Sequence, residues 1–165
     1  MKIRLATVFE AEAITRVHYN AVHGVKPANF YEQNILQSWA PSPTDEHRLN
    51  QFRSIIECKK ELVFVAESDN KIIIGFGAII ASQHELRALY VDPMYEHQGV
   101  GSNILKHLEE LVLEQGADML KLEATLSAET FYIRHGYSII EYSFHPLRSG
   151  DQMKCVKMSK ELRKS

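Results

Sequence analysis

The sequence is poor in the features that mark membrane, secreted, metal-binding or nucleic-acid-binding proteins. Cysteine occurs twice in 165 residues, as Cys58 and Cys155. Two such distant thiols make no Cys-x-x-Cys pair, so both are expected to be reduced and neither a disulfide framework nor a cysteine zinc site is expected. Apolar runs are short, well under the ~20 residues that cross a bilayer. The start, Met1-Lys2-Ile3-Arg4-Leu5, lacks the apolar stretch of a signal peptide. A cytoplasmic location without a membrane partner is the expectation. Excess positive charge is missing too: 19 Lys and Arg face 21 Asp and Glu, a formal net charge of −2. A phosphate-backbone binder usually carries a basic surface, so no nucleic-acid partner is expected, whereas a cationic acceptor is tolerated. The eight histidines are scattered and fit neither His-Glu-x-x-His nor a Cys/His spacing, so no metal is expected. Without repeats or low-complexity linkers, residues 1–165 are expected to form one domain, long enough to bury roughly 70% of its unfolded surface.

What is present is a regular alternation of strand and helix patterns. A strand is expected near residues 2–6 and a helix from Glu10 to His23, with Ala13, Ile14, Val17 and Ala21 on one face. Residues 24–45 mix prolines with exposed-looking aromatics and contain one short helix around 31–38, before another helix at 44–58. Leu62–Glu67 and Ile72–Ser82 form a hairpin around Asp69-Asn70, and Glu85–Val91 is the next strand. Ile104, Leu105, Leu108, Leu111 and Val112 give a helix from Ser102 to Gln115, stopped by Gly116. Met119–Leu126 is a strand, Ser127 the N-cap of a helix over 128–135, and strands at about 137–144 and 152–159 follow. The resulting order, β-α-α-α-β-β-β-α-β-α-β-β, is an α/β chain with a mixed sheet flanked by helices.

The most informative stretch joins the strand Glu85–Val91 to the helix that starts at Ser102: Val91-Asp92-Pro93-Met94-Tyr95-Glu96-His97-Gln98-Gly99-Val100-Gly101-Ser102. Glycines at 99 and 101 remove Cβ atoms that would keep an anion away, and the first turn of a helix offers free N–H groups and a partial positive charge. By itself a Gly-x-Gly at a helix start reads equally as a plain turn or as an anion site. Ser102-Asn103 is not the Lys-Ser/Thr of a P-loop, and Ile104 stands where a dinucleotide fingerprint needs its third glycine.

The stretch resembles the phosphate loop of the GNAT acyl-CoA N-acyltransferases, Arg/Gln-x-x-Gly-x-Gly/Ala after a strand and a turn. A second segment, Ala128-Glu129-Thr130-Phe131-Tyr132-Ile133-Arg134-His135-Gly136-Tyr137, is similar to the family's Ala-x-x-Phe-Tyr-x-x-x-Gly-Phe/Tyr pattern, and the element order is that of the family. The resemblance implies a GNAT-like fold with a mostly antiparallel sheet and acetyl-CoA as cosubstrate. It implies that His97, Gln98, Gly99, Val100, Gly101 and Ser102 hold the pyrophosphate through main-chain N–H groups. Leu89, Tyr90 and Val91 would run beside the pantetheine, and Ser127 would contact it where relatives often carry Asn. Glu96 departs from the family's Arg or Gln and is expected to turn outward.

The implied reaction transfers an acetyl group to a primary amine by direct attack in a ternary complex, with a small molecule or a peptide as acceptor. Neither cysteine falls in the two motifs, which disfavours a covalent acyl-enzyme. An alkylammonium of pKa near 10.4 must lose a proton, which costs about 4.6 kcal/mol at pH 7. The base is expected at Glu85 or Glu123, both in positions that resemble those of catalytic glutamates in relatives, or in a chain of waters. Tyr132 is the expected proton donor to the leaving thiolate. Tyr31, Trp39 and Tyr19 could cage a cationic acceptor or pack the loop onto the body. Two other readings stay open: a non-catalytic acyl-CoA-binding module and an ordinary nucleotide-binding protein. A homodimer through the last strands is a further expectation.

Overall fold

Central to the computed structural model, which describes residues 1–162, is a strand buried on both faces along its whole length: β3, Ile73–Ile80. It forms a hairpin with β2 (Leu62–Glu67) through the turn at Asp69-Asn70, and β2 pairs in turn with β1 (Lys2–Leu5). On its other side β3 pairs with β4 (Glu85–Val91). β5 (Met119–Thr125), β6 (Ser138–Pro146) and β7 (Gln152–Glu161) complete a seven-stranded sheet in the order β1-β2-β3-β4-β5-β7-β6. Every neighbouring pair is antiparallel except β4 and β5.

Six helices flank the sheet among the described residues: α1 (Ala11–Val22), α2 (Val25–Ala28), α3 (Gln33–Trp39), α4 (Glu46–Cys58), α5 (Val100–Glu114) and α6 (Glu129–Arg134). The apolar stripes of α1 and α4 cover one face, where Ile14, Val17 and Phe52 meet Val65, Phe76 and Ala78. On the opposite face α5 buries Ile104, Leu105, Leu108 and Val112 against Phe64, Ile79, Leu120 and Val156. β6 stays exposed along the sheet's edge, with Ile140, Tyr142 and Phe144 at 60%, 50% and 62% accessibility.

The element order matches the sequence reading with one addition and one correction. The addition is α2, a single turn inside the segment read as irregular. The correction concerns Ser127, which does not cap α6. Ala128 holds the N-cap position without a side-chain bond, and the Ser127 hydroxyl pairs with Thr125 Oγ1 at 3.0 Å. The segment's aromatics also separate: Phe30 is 49% accessible, whereas Tyr31 is buried.

Two features set the space for a site. β4 and β5 pair only at Glu85 with Lys121 and Leu86 with Leu122, and a bulge at Arg87 breaks the β3–β4 register immediately afterwards. Bulges bend a strand and increase its twist, so β4 and β5 part beyond this point and leave a gap in the sheet. The second feature is the close seat of α5 on β3. A Cβ on Gly77 would stand 2.8 Å from Ile104 Cγ2 and 2.9 Å from Leu108 Cδ1. Gly77→Ala is therefore expected to destabilise the protein by about 1–3 kcal/mol through overpacking. Thermal unfolding checks this as a fall of about 2–4 °C per kcal/mol.

Candidate active site

The gap between β4 and β5 is filled by two cavities that meet at a common wall. The first, of about 480 Å3, lies against Leu89, Tyr90 and Val91 of β4, the loop before α5, and one side of α6. The second, of about 420 Å3, lies against Glu85 and Arg87 of β4, Lys121 and Glu123 of β5, and His145 of β6. Trp39, Tyr90 and Thr125 border both.

The loop at the first cavity is shaped by backbone conformation. His97 and Gly99 both take left-handed backbone, φ 61° and 82°, so the chain turns sharply before α5 starts. Glycine accepts this conformation freely, while a histidine there is strained by about 1–2 kcal/mol. Asn103 N–H makes the first helical bond, to Gly99 C=O at 3.0 Å. The N–H groups of Val100, Gly101 and Ser102 therefore have no acceptor within the helix. With the dipole of a fifteen-residue helix behind them, they form an anion site. A Cβ on Gly101 would stand 3.4 Å from two Phe131 ring carbons, an ordinary contact. Nothing in the protein itself thus demands glycine there, and what the missing side chain leaves open is cavity floor.

Of the residues expected at the cofactor, Leu89, Tyr90, Val91, His97, Gly99, Val100, Gly101, Ser102 and Ser127 all border the first cavity, whereas Gln98 does not. Glu96, expected to turn outward, is exposed and also borders the cavity. Three cationic or titratable side chains that the sequence reading passed over border it too: Lys26 on α2, and Arg134 and His135 at the end of α6. His135 Nδ1 donates to Phe131 C=O at 2.7 Å, which leaves Nε2 to accept the Ser102 hydroxyl at 2.8 Å. This bond ties the end of α6 to the start of α5. The missed side was legible in principle, because Ala128, Phe131, Tyr132 and His135 recur at i, i+3, i+4 and i+7 and all four border the cavity.

Tyr132 borders the first cavity, 5% accessible and packed edge-on against Phe131 and Tyr137 at 5.2 and 5.5 Å between ring centres. Its hydroxyl has no hydrogen-bond partner among the described residues. Burial pushes this phenol well above the ordinary tyrosine range, and the neighbouring Tyr90 adds to the shift. Tyr90, half-buried, is pushed up to about 12 as its hydroxyl is desolvated. Both therefore hold their protons at neutral pH.

The two glutamates proposed as bases lie in the second cavity, apart from Tyr132. Arg87 Nη1 donates to Glu85 Oε1 at 2.7 Å. Ser143 Oγ donates to Glu123 Oε2 at 2.9 Å, and His145 Nδ1 lies 3.3 Å from Glu123 Oε1. Cys155 borders the same cavity, and burial pushes its thiol up to about 12.

The aromatic residues expected at the acceptor are divided by the structure. Trp39 borders both cavities, but Tyr31 borders neither. Its buried hydroxyl donates to Lys154 C=O at 2.5 Å and accepts Leu126 N–H at 2.8 Å, so it is a structural clasp. Tyr19 also lies outside both cavities and stacks near His23 at 4.3 Å. No group of three or more metal-ligating side chains occurs among the described residues, and no described helix is long and apolar enough to cross a membrane.

Comparison with known proteins agrees with this geometry. Residues 59–139, which carry β2 to α6 and the anion loop, match the acetyltransferase (GNAT) domain family. The spermidine N(1)-acetyltransferase of Thermoplasma acidophilum is 23% identical over 117 residues, covering 68% of this chain and 73% of that protein. Among solved structures, a GCN5-related N-acetyltransferase from Rhodopseudomonas palustris superposes with a TM-score of 0.85 at 21% identity, covering 97% of this chain and 94% of that one. The PaiA N-acetyltransferase of T. acidophilum, solved with coenzyme A, gives 0.72 at 20% identity over 97% and 98%. With this fold and this match over the anion loop, the chain carries an acetyltransferase (GNAT) domain over residues 59–139.

Proposed function

We propose that the protein transfers an acetyl group from acetyl-CoA to a primary amine by direct attack. The observation that carries this reading is the pair of cavities meeting at Trp39, Tyr90 and Thr125. One is built for an anionic cosubstrate and the other carries carboxylates and an imidazole.

The residues of the first cavity fit coenzyme A. The free N–H groups of Val100, Gly101 and Ser102 would hold the pyrophosphate, with Lys26 and Arg134 on the same cavity to balance its charge. Leu89, Tyr90 and Val91 on one side and Ser127 on the other would line the pantetheine arm. When bound, the cosubstrate supplies a thioester whose carbonyl carbon is open to attack by an amine. Tyr132, which borders the same cavity, would hand its proton to the departing thiolate. Its raised pKa does not oppose this, because the burial that disfavours a phenolate disfavours the thiolate in the same cavity.

The second cavity suits an amine. Trp39 and Tyr90 present aromatic surface to a cation, and the carboxylates of Glu85 and Glu123, the expected bases, border the same cavity. Cys155 with its pKa near 12 is a poor nucleophile at neutral pH, so attack by the amine on the thioester needs no acyl-cysteine step. The match to a spermidine acetyltransferase supports an amine acceptor.

Calorimetry with coenzyme A and ATP, followed by thiol release from acetyl-CoA against spermidine, small monoamines and amino-terminal peptides, tests the reading. Coenzyme A is expected to bind in preference to ATP, and at least one amine to release thiol. Binding without thiol release from any amine would instead identify an acyl-CoA-binding module.

A further inference from the structure

Glu85 and Glu123 are not equivalent in the second cavity. Glu85 has one oxygen held by Arg87 at 2.7 Å, whereas Glu123 sits between a hydroxyl and an imidazole. Ser143 Oγ fixes Oε2 at 2.9 Å, and Oε1 faces His145 Nδ1 at 3.3 Å. The arrangement is a carboxylate–imidazole dyad across the β5–β7–β6 sheet, with Glu123 on β5 and both Ser143 and His145 on β6. We propose that His145 accepts the proton of the incoming ammonium and that Glu123 positions it, an inference that rests on the acetyl-transfer reading.

Both oxygens of Glu123 already have neighbours, so the carboxylate is placed to orient a base. With the Nδ1–H directed at Glu123, the lone pair of His145 lies on Nε2. His145 borders the cavity that includes Trp39, Tyr90 and Thr125, where the thioester cavity begins. Its side chain is 51% accessible, so a proton taken from the amine passes on to water. The other charged or titratable groups around this cavity are Lys121 on β5, Lys157 and Cys155 on β7, and Glu85, Arg87 and Tyr90 on β4. Lys157 is paired with Glu141 at 3.4 Å and Arg87 with Glu85. Glu123 is therefore the anion that acts on His145.

The step balances as follows. An N–H bond of the ammonium breaks and its proton bonds to His145 Nε2, giving an imidazolium opposite the Glu123 carboxylate and a neutral amine. The amine lone pair forms the C–N bond to the thioester carbon, and the C–S bond breaks with its electrons on sulfur. The thiolate takes the Tyr132 proton. The second proton lost by nitrogen restores Tyr132 by way of solvent, and the imidazolium proton leaves to bulk water as the net proton released.

The test compares wild type, His145→Gln and Glu123→Gln with acetyl-CoA and spermidine from pH 6 to 10, with acetyl-CoA affinity measured by calorimetry on each variant. His145→Gln is expected to bind acetyl-CoA within twofold of wild type and to lose about 100-fold in kcat/KM at pH 7. That loss should shrink toward pH 10, where the amine is already neutral. Glu123→Gln should lose most of the activity that His145→Gln loses, Glu123→Asp should recover part of it, and adding Glu123→Gln to His145→Gln should cost little more. A His145→Gln variant as active as wild type at pH 7, or one reduced equally at every pH, overturns the base assignment while leaving acetyl transfer standing. A wild type that binds acetyl-CoA but releases no thiol with spermidine or the other amines overturns acetyl transfer and the base with it.

Discussion

Tyr132→Phe is expected to lower kcat by about 10²–10⁴-fold, the usual range for a positioned proton donor, while acetyl-CoA binds as before. The substitution is unusually clean here. The hydroxyl has no hydrogen-bond partner among the described residues, so phenylalanine leaves no orphaned group behind, and the ring keeps its edge-on contacts with Phe131 and Tyr137. Folding stability should therefore stay within about 0.5 kcal/mol of wild type. Steady-state thiol release alongside calorimetry with acetyl-CoA separates the two effects. Unchanged turnover in the phenylalanine variant would leave Tyr132 a packing residue and require another donor.

The second large effect is expected at Gly101. A methyl group there meets Phe131 at 3.4 Å and Val91 at 3.5 Å without a clash, and alanine is a better helix former than glycine. Gly101→Ala should thus fold at least as stably as wild type. The same methyl group occupies the floor of the anion loop, and a leucine would fill more of it. Acetyl-CoA affinity is expected to fall about tenfold for Gly101→Ala and at least 100-fold for Gly101→Leu, or about 1.4 and 2.7 kcal/mol. Calorimetry and thermal unfolding, measured together, should show binding and stability moving independently. A leucine variant with wild-type affinity would remove the cofactor from this cavity.

Both predictions rest on residues that periodicity and local chemistry made legible. The strands and the long helices were visible because their apolar residues alternate or recur at helical spacing, and Gly99 stood out because it opens a helix after a proline-bearing turn. The sequence did not disclose α2. Four residues containing Pro27 carry no period, yet that turn brings Lys26 to the anion cavity. The charge around Glu96 was hidden for a related reason: its own identity is read from one position, while Lys26 and Arg134 reach the same cavity from other elements. Tyr31 and Trp39 looked alike as aromatics in a proline-rich stretch. Tertiary hydrogen bonds 95 and 123 residues away divided them, and no local pattern carries such distances. The placing of Glu123 beside Ser143 and His145 likewise depends on the β5–β7–β6 strand order, which crosses over in sequence.

The Tyr31 hydroxyl has a consequence for motion. It receives the amide of Leu126 at the end of β5 and gives its proton to a carbonyl of β7, so the segment carrying α2 and α3 is latched to the sheet at the mouth of the gap. Swinging that segment outward would break both bonds and strand two backbone groups, at roughly 1–3 kcal/mol each. Trp39 and Lys26 are attached to the latched segment. They are therefore held as fixed walls when a ligand arrives, and the entropy of ordering them is spent during folding and not at each turnover.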